Sequence, residues 1–458
     1  ADYSGDPGPH FEVSQIAASL PPQLQGRPEA HTFARQGILP EIQRMWRSFD
    51  STLLLWQYLE GSGAEVLEYR GVTQQIVGVT VARPKDFVTG VDYFLVIATP
   101  VEVSLHALCF APDGSGRLLP PARTQHAVAT DDVVVSAMAS DPATGRIFLG
   151  GVDGCIHELQ YFDDESRWLG RPRKCRRAIV NWNLQAQLPT ILRRASEAIF
   201  GRAEGIEQLL VDNERGLLLS LTSDSSITVF QLPRWRVVNG RLQEPGLTQI
   251  CCISPTTIAN DIARARAQLF PDLAYVPGRT SSVTSSMTSP MPAASATRAA
   301  VKVVKLLTLE RAQGGSIVAC AVAEDGTRVF LRGVPRQTTT ATAMVATMAP
   351  PPGDGAQAQE AERPSIISVA SHHIRFLDPS RHPVRVRDAV RVGSATLLVG
   401  RMSGDDVVVA ISSDLRAVAQ RQSRGRCPWL SPPTGFSEHL EVLRLGGGVG
   451  VEPGQANQ

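Results

Sequence analysis

Two histidine-containing stretches have residue types that could bind a metal or transfer a proton. The first is "GRIFLGGVDGCIHELQY" at 145–161, in which His157 stands beside Glu158. A zinc-peptidase motif needs a second histidine four residues further on, and Tyr161 occupies that position. On a β-strand, neighbouring side chains point to opposite faces, so His157 and Glu158 would diverge. The pattern favours a structural role for both residues over a metal or catalytic one.

The second stretch is "IISVASHHIRFL" at 366–377, which contains His372 and His373. We place the two histidines at the turn of a hairpin, with no carboxylate or cysteine beside them in the sequence. Adjacent side chains would again diverge. The pattern favours a solvated turn and leaves open a metal site assembled with residues distant in sequence.

A basic run, "RPRKCRR" at 171–177, follows the first of these stretches. Such a run can contact lipid headgroups or nucleic acid, and each basic group near an anionic membrane contributes about 1 kcal/mol. A solvated loop is the more common meaning of a charge run. The residues of this candidate basic patch are Arg171, Arg173, Lys174, Arg176 and Arg177.

The stretch "SPTTIANDIARARAQLF" at 254–270 predicts a helix, with Ser254 as the N-cap and Pro255 at the first helical position. A narrow apolar stripe on such a helix can rest in a membrane interface. A connector packed against the rest of the protein is the alternative, and Arg266 projects toward the apolar side. The stripe consists of Ile258, Ile262, Ala265 and Leu269.

Motifs for nucleophilic catalysis and phosphate binding are missing from the sequence. It has no G-x-S-x-G, no P-loop and no G-x-G-x-x-G. Its seven cysteines are odd in number and show no C-x-x-C spacing, which argues against a disulfide framework and a structural zinc site. We therefore predict a protein that is not an enzyme, with no catalytic residue, no metal and no cofactor.

The composition is that of a globular protein. Hydrophobic residues make up 43% and charged residues 19% of the 458 residues, with 38 Gly and 32 Pro for turns. A net charge of +1 argues against a specific nucleic-acid partner, which selects strongly basic domains. The N-terminus lacks a signal-peptide pattern, and no uncharged apolar run reaches the roughly 18 residues that span a bilayer. We expect a soluble protein that at most rests on a membrane.

Alternating apolar runs joined by turn residues cover most of the chain and predict seven β-hairpins. Three runs share an apolar strand, a turn, a second strand and a second turn, with Gly145, Gly216 and Gly314 at matching points. Such repeats are typical of a β-propeller, whose blades bury their faces against one another. The spacing of roughly 54 residues per hairpin is close to a kelch-type blade and fits six or seven blades. The hairpins lie at 53–69, 93–110, 145–161, 216–232, 316–331, 366–377 and 395–411.

The predicted fold class is therefore all-β, with a β-propeller at 51–425 and short helical segments at the N-terminus and between blades. A two-sheet sandwich would rarely need so many hairpins. Residues 1–50 are expected to form an extension with a short helix from Pro40, which places Ile42, Met45, Trp46 and Phe49 on one side. The other expected segments are a helix at 188–200, mobile insertions at 275–300 and 338–364, and a low-complexity tail at 426–458.

Several motifs occur in the order found in a known family. From about Leu20 to Phe270 the chain resembles the N-terminal β-propeller of the large inner-ring scaffold nucleoporin family, nucleoporin one-fifty-five, of the nuclear pore complex. The resemblance is weaker after Phe270. The motifs are "LPPQLQ", "GILPEIQRMWRSFDSTLLLWQYLEG", "QIVGVTVARPKDF", "YFLVIATPVEVSLHAL", "GRIFLGGVDGCIHELQY", "LLVDNERGLLLSLTSDSSITVFQL" and "TIANDIARARAQLF".

The resemblance implies a seven-bladed propeller that serves as scaffold in nucleocytoplasmic transport of protein and mRNA, at the nuclear pore complex of the nuclear envelope. It implies as partners other inner-ring nucleoporins, a pore-membrane nucleoporin and the lipid surface of the nuclear envelope. It also assigns membrane contact to the predicted helix. In that assignment the inserting side chains are Ile258, Ile262, Leu269 and Phe270, and Arg264 and Arg266 face the lipid headgroups.

The family's α-solenoid has no counterpart in the sequence after residue 425, so we expect a fragment or a shortened form. One alternative function is a generic β-propeller adaptor that binds peptides or protein loops and has no membrane role. A propeller hydrolase is a third, and it would need Asp, His or Glu side chains clustered around the central channel. The sequence shows no sign of such a cluster.

Overall fold

Antiparallel four-stranded sheets make up most of the described part of the chain. The computed structural model describes residues 33–58, 65–131, 133–162, 167–168, 171–172, 175–180, 204–232, 236–238, 241–243, 247–269, 301–309, 316–335, 366–377, 384–392, 395–413 and 438–445. Within these ranges there are six four-stranded sheets, two two-stranded ribbons and one α-helix. In each four-stranded sheet the strands pair in the order in which they occur along the chain, as in propeller blades. We call these sheets blades 1 to 6.

The chain divides into two compact units. The first consists of 13–252 with 350–365, and its described residues form blades 1 to 4. Ribbons β12–β13 and β18–β19 precede the outer strands of blades 3 and 4. The strands are β1 Ala34–Leu39, β2 Arg44–Phe49, β3 Thr52–Gln57, β4 Val66–Tyr69, β5 Gly78–Ala82, β6 Tyr93–Ala98, β7 Glu102–Leu108, β8 Ala122–Ala129, β9 Val135–Asp141, β10 Arg146–Gly151, β11 Ile156–Tyr161, β12 Arg167–Trp168, β13 Arg171–Pro172, β14 Cys175–Ile179, β15 Ile206–Asp212, β16 Leu217–Thr222, β17 Ile227–Gln231, β18 Arg236–Val238, β19 Arg241–Gln243 and β20 Thr248–Ile253.

The second unit consists of 1–12, 253–349 and 366–458. Its described residues form helix α1 and then blades 5 and 6. These elements are α1 Pro255–Leu269, β21 Val303–Thr308, β22 Ile317–Ala323, β23 Arg328–Pro335, β24 Ile366–Arg375, β25 Val384–Val392, β26 Ala395–Met402, β27 Asp405–Ser413 and β28 Glu438–Leu445.

The period of two along each strand builds the cores between blades. In β10, Ile147 and Leu149 pack into an apolar cluster shared with blade 2. Phe148, between them, packs into the cluster shared with blade 4. A strand covered on both faces is mostly apolar, and every residue of β10 is buried, including Arg146 at its start. The apolar area removed from water contributes about 25 cal/mol per Å², so these inner strands account for much of the stability.

The matching glycines of the repeat occupy left-handed turns. Gly145 has φ +67° and Gly216 has φ +64°, a conformation that costs other residues about 1–2 kcal/mol. A Cβ added at Gly145 would also lie 2.9 Å from the carbonyl oxygen of Arg83. The structure thus confirms the predicted turns at Gly145 and Gly216, and Gly314 lies outside the described residues.

The expected count of seven blades is wrong for the described residues, which form six. Six of the seven predicted hairpins are present, but 366–375 is one long strand, β24, at the edge of blade 5. At His372 the register shifts by one residue, because Phe330 pairs with His373 while Leu331 pairs with Ser371. A β-bulge therefore replaces the predicted turn.

The helix expected from Pro40 is also wrong. Residues 40–42 form a single 3-10 turn, and Arg44–Phe49 is strand β2, paired on both sides within blade 1. Its apolar residues satisfy a helical period, but tertiary pairing selects the extended form. Likewise, 438–445 of the expected tail forms the outer strand of blade 6. The expected helix at 188–200 and the insertions at 275–300 and 338–364 lie outside the described residues.

Candidate functional site

Helix α1 forms where the sequence predicts it, and its apolar stripe faces the protein. Ser254 caps the helix, since its Oγ accepts a hydrogen bond from the backbone N–H of Thr257 at 3.2 Å. Ile258 is 1% exposed and Ile262 is 3% exposed, and the helix contacts β24 of blade 5. In this docked position the two isoleucines are not available for insertion into a bilayer. The side chain of Leu269, and Phe270 altogether, lie outside the described residues.

Arg266 joins the exposed edge of α1 to blade 5. Its guanidinium lies 3.2 Å from the carboxylate of Asp325 and 5.3 Å from the ring centroid of Phe376. Both charged side chains are about half exposed, so the ion pair contributes at most about 1 kcal/mol. Arg264 faces solvent, 3.9 Å from Asp261. The off-stripe position of Arg266 in the sequence is thus explained by a protein contact.

The structure places the described part of the basic patch on a strand. Arg176 on β14 donates to Oε1 of Gln160 and lies over the ring of Phe162. Arg177 donates to the carbonyl of Thr130 and lies 3.3 Å from Asp131. These two cations thus have intramolecular partners. The side chain of Arg171, and Arg173 and Lys174 altogether, lie outside the described residues.

His157 and Glu158 lie on opposite faces of β11, as predicted. Glu158 accepts two hydrogen bonds from Arg146, at 2.6 and 3.0 Å, and both side chains are 2% exposed. Glu158 is therefore structural. His157, also buried, turns Nε2 toward Oδ2 of Asp153 at 3.3 Å. His373 is buried in β24 beside Phe330, and the side chain of His372 is not among those described.

Asp153, Cys155 and His157 form a three-residue cluster that the sequence analysis missed. One potential ligand atom from each residue lies within 4.8 Å of the other two. The signal was present as D-x-C-x-H, in which Asp153 and Cys155 lie in the turn before β11 and His157 lies on β11. The search for C-x-x-C and for two histidines at helical spacing does not detect this pattern. We call these three residues the blade 3 cluster.

The protonation of the blade 3 cluster follows from its burial and hydrogen bonds. Burial raises the pKa of the Cys155 thiol to about 12, and the nearby Asp153 carboxylate raises it further. Burial also opposes ionisation of Asp153. Hydrogen bonds from His157 and from the Cys155 backbone outweigh it, and the net pKa of the carboxyl is lowered.

A buried Ser-His-Tyr group occurs in blades 1 and 2. The Tyr69 hydroxyl lies 2.6 Å from Nδ1 of His106, and the Ser104 hydroxyl lies 2.9 Å from Nε2. Burial lowers the pKa of His106 to about 4. Ser104 and His106 are both 0% exposed, so the protein itself covers the atoms that a substrate would need to reach. The group satisfies buried polar atoms and serves packing.

A groove lies among the first strands of blades 1 to 3. It has a volume of about 340 Å³ and is lined by residues of β1, β5 and β9 and their neighbours. Ile38, which is 59% exposed, and Met138 contribute apolar surface, and Arg35 and Glu41 contribute charge. Each of the three strands is an edge of its sheet and has backbone groups free of sheet pairing on one side. We call this the inner-strand groove.

None of the described helices is both long enough and apolar enough to span a bilayer.

Comparisons with known proteins match the chain to a family and to curated relatives. Residues 7–450 match the family Nucleoporin_N, described as Nup133 N terminal like. The chain is 32% identical over 199 residues to nuclear pore complex protein Nup154 of Drosophila melanogaster, which covers 43% of this chain and 14% of that protein. It is 32% identical over 207 residues to nucleoporin NUP170 of Chaetomium thermophilum, and the match covers 44% of this chain and 14% of that protein. The matched part is thus about one seventh of each relative.

A solved structure has a similar fold. The Chaetomium thermophilum Nup170 N-terminal domain, crystallised in complex with Nup53, gives a TM-score of 0.58 at 22% identity. The alignment covers 91% of this chain and 51% of that one. The names of the relatives also confirm the predicted location at the nuclear pore complex. With its blade repeat and a family match at 7–450, the chain belongs to the Nucleoporin_N family, as the N-terminal β-propeller of a large inner-ring nucleoporin.

Proposed function

We propose that this chain is a scaffold domain of the nuclear pore inner ring that holds other nucleoporins on its blade surfaces. The observation that carries the proposal is the family match, which extends over 7–450 and so includes all six blades. The buried state of His106, Glu158 and His373 supports a structural role, since these candidate chemical groups serve packing.

The inner-strand groove is the surface best suited to a partner. Its edge strands offer backbone groups to an extended peptide, and Ile38 offers an apolar contact. The Nup170 domain of similar fold was crystallised with Nup53. We propose that a Nup53-type nucleoporin docks a segment in this groove, and that the apolar contact at Ile38 dominates the affinity.

Calorimetric titration of the full chain with the Nup53 protein of the same organism tests this assignment. Ile38→Asp should weaken binding at least tenfold, because it places a charge in the apolar part of the groove. The matched control is Val390→Asp on β25, an aliphatic residue of similar exposure, 48%, in blade 6. An equal loss of affinity in both variants, or no loss in either, would contradict docking in the inner-strand groove. A tagged chain that fails to reach the nuclear rim would reject the scaffold role and favour a generic adaptor.

Membrane contact through α1 is a further part of the proposal, and it requires the helix to leave blade 5. Moving Ile258 and Ile262 from a protein core to lipid exchanges one apolar environment for another, so their burial energy is largely retained. Undocking breaks the exposed Arg266–Asp325 pair, which is weak. Anionic headgroups would then attract Arg264 and Arg266 with about 1 kcal/mol each.

Flotation with small anionic liposomes tests the membrane proposal. Asp325→Ala should increase flotation, because it loosens the docked helix. Leu269→Asp and Phe270→Asp should decrease it, while Ala267→Asp on the exposed face serves as the control for added charge. Equal flotation of all four variants and the wild type would rule out insertion. That result would leave the groove proposal untouched.

A further inference from the structure

The turn of the blade 3 hairpin is built to hold one carboxylate in a fixed position. Oδ1 of Asp153 accepts a hydrogen bond from the Cys155 backbone N–H at 3.0 Å, which leaves Oδ2 to face His157. A Cβ at Gly151 would lie 2.1 Å from the same Oδ1, so glycine makes room for the carboxylate. Backbone hydrogen bonding that orients a ligand in advance is typical of metal sites.

The same turn occurs in two other blades without the cysteine or the histidine. Asp224 in blade 4 and Asp325 in blade 5 each accept a hydrogen bond from the N–H two residues on, at 2.9 Å in both cases. The positions that correspond to Cys155 and His157 are Ser226 and Thr228 in blade 4. The turn therefore forms without a thiol or an imidazole. Cys155 and His157 are additions specific to blade 3, and the turn itself does not account for them.

The separation of the carboxylate and the imidazole in the blade 3 cluster fits a tetrahedral ion, and the Cys155 sulfur lies within 4.8 Å of both. Zinc–ligand bonds of about 2.0–2.3 Å place the ligand atoms of a tetrahedron roughly 3.3–3.8 Å apart. The Asp153 Oδ2 to His157 Nε2 distance is 3.3 Å. Thiolate, imidazole and carboxylate form a ligand set that zinc accepts, and two anionic ligands neutralise the charge of a divalent ion. Nε2 of His157, the nitrogen that faces Asp153, is the ligand atom in this arrangement.

The cluster also has a path for an ion. The Asp153 side chain is 19% exposed, while those of Cys155 and His157 are covered. The opening on the Asp153 side leaves a fourth position for water, as in zinc sites with three protein ligands.

We propose that Asp153, Cys155 and His157 bind one Zn²⁺ ion, with water as the fourth ligand. Binding displaces the thiol proton of Cys155 to solvent, so that sulfur binds as the thiolate, and Nε2 of His157 binds in the neutral tautomer that carries its proton on Nδ1. The ion ties the turn to strand β11 and stabilises this end of blade 3. The proposal is independent of the pore function and of both partner surfaces described above.

Cobalt titration of the full chain tests the site. The protein is stripped with a chelator, reduced, and titrated with Co²⁺ while the thiolate-to-cobalt charge-transfer absorption is recorded. We expect one equivalent of Co²⁺, the charge-transfer band, and displacement by Zn²⁺. Cys155→Ser should abolish the band, and Asp153→Asn and His157→Gln should each weaken binding at least tenfold. The matched controls are Cys252→Ser, an exposed thiol, and Asp224→Asn, the same turn in blade 4.

Three results would overturn the proposal. They are no stoichiometric binding by the wild type, an unchanged band in Cys155→Ser, and equal weakening in Asp153→Asn and Asp224→Asn. Circular dichroism establishes that each variant is folded. If Cys155→Ser does not fold, the comparison of Asp153→Asn with Asp224→Asn decides, because both residues lie in the same kind of turn and only one lies beside a thiol and an imidazole.

Discussion

Blades 3 and 4 are built on one plan and differ in the polarity of their interiors. A constant offset of 71 residues relates Gly145 to Gly216 and Asp153 to Asp224. At the same offset, buried Arg146 and Glu158 of blade 3 correspond to Leu217 and Val229 of blade 4. The shared residues form the turns, and the differing ones decide which charges are buried. Blade 4 buries an ion pair elsewhere, between Asp212 and Arg215. Blade architecture therefore does not require an ion pair at the positions of Arg146 and Glu158, and its presence in blade 3 has a separate physical reason.

The largest expected effect comes from removing one partner of the buried ion pair. Glu158→Ala leaves the Arg146 guanidinium buried without its carboxylate, so the free energy of unfolding should fall by about 3–5 kcal/mol. The double variant Arg146→Leu with Glu158→Val copies blade 4 and should recover most of that loss. Urea denaturation followed by fluorescence measures both. A double variant as unstable as Glu158→Ala would show that the blades are not interchangeable at these positions.

The second effect is a pH dependence from His106 in blade 2. Burial lowers the pKa of its imidazole to about 4, against about 6.5 in the unfolded chain. Between these values the unfolded chain binds a proton that the folded chain does not, so stability is full above pH 6.5 and falls toward pH 4. The expected loss is about 3 kcal/mol. Urea midpoints across this range should shift less in His106→Gln, and an equal slope would contradict this assignment.

The shared turns give a third test, in which the expected loss of unfolding free energy is about 2 kcal/mol. Gly145→Ala forces a side chain into φ +67° and against the carbonyl of Arg83, and should reduce the unfolding free energy by about that amount. The control is Gly404→Ala, which has positive φ but open space around it, and should cost about 1 kcal/mol. Thermal denaturation compares the two. Equal losses would mean that the close approach to Arg83 contributes nothing.

The repeat also offers a gain of function. If the turn supplies the carboxylate and residues two and four further on supply the other ligands, Ser226→Cys with Thr228→His should create a second site at Asp224 in blade 4. Cobalt titration should then saturate at two equivalents instead of one, with about twice the charge-transfer absorption. A stoichiometry that stays at one would show that blade 3 contributes more than the three ligands.

Most of the fold could be predicted from sequence, because period-two alternation and turn residues act locally. The hairpins at 145–161 and 216–232 and the cap at Ser254 depend on such local rules. Some residues fit both the period of a helix and the period of a strand, and there only strand pairing decides the secondary structure. The apolar positions of 44–49 predict a helix, but pairing with two neighbouring strands makes this segment β2. The bulge at His372 depends on the register with β23 and has no local signal.

The candidate site was harder to predict for a related reason. The sequence correctly predicts the apolar stripe of α1. It cannot distinguish burial against lipid from burial against protein, since both environments favour the same residues. The structure places Ile258 and Ile262 against protein. The blade 3 cluster had a local signal, but its D-x-C-x-H spacing runs from a turn into a strand, whereas the familiar metal motifs are spaced for helices and loops.

The smallest expected effect concerns the attachment of α1 to blade 5. Its ion pair is weak, whereas the buried ion pair of blade 3 is strong. The Arg146–Glu158 pair is 2% exposed, whereas Arg266 and Asp325 are 54% and 50% exposed. Arg266→Ala should therefore change the unfolding free energy by less than about 1 kcal/mol. Its effect should be local instead, as faster hydrogen exchange confined to α1. A loss as large as that of Glu158→Ala would mean that the helix is an integral part of the core, and would make its release to a membrane energetically unfavourable.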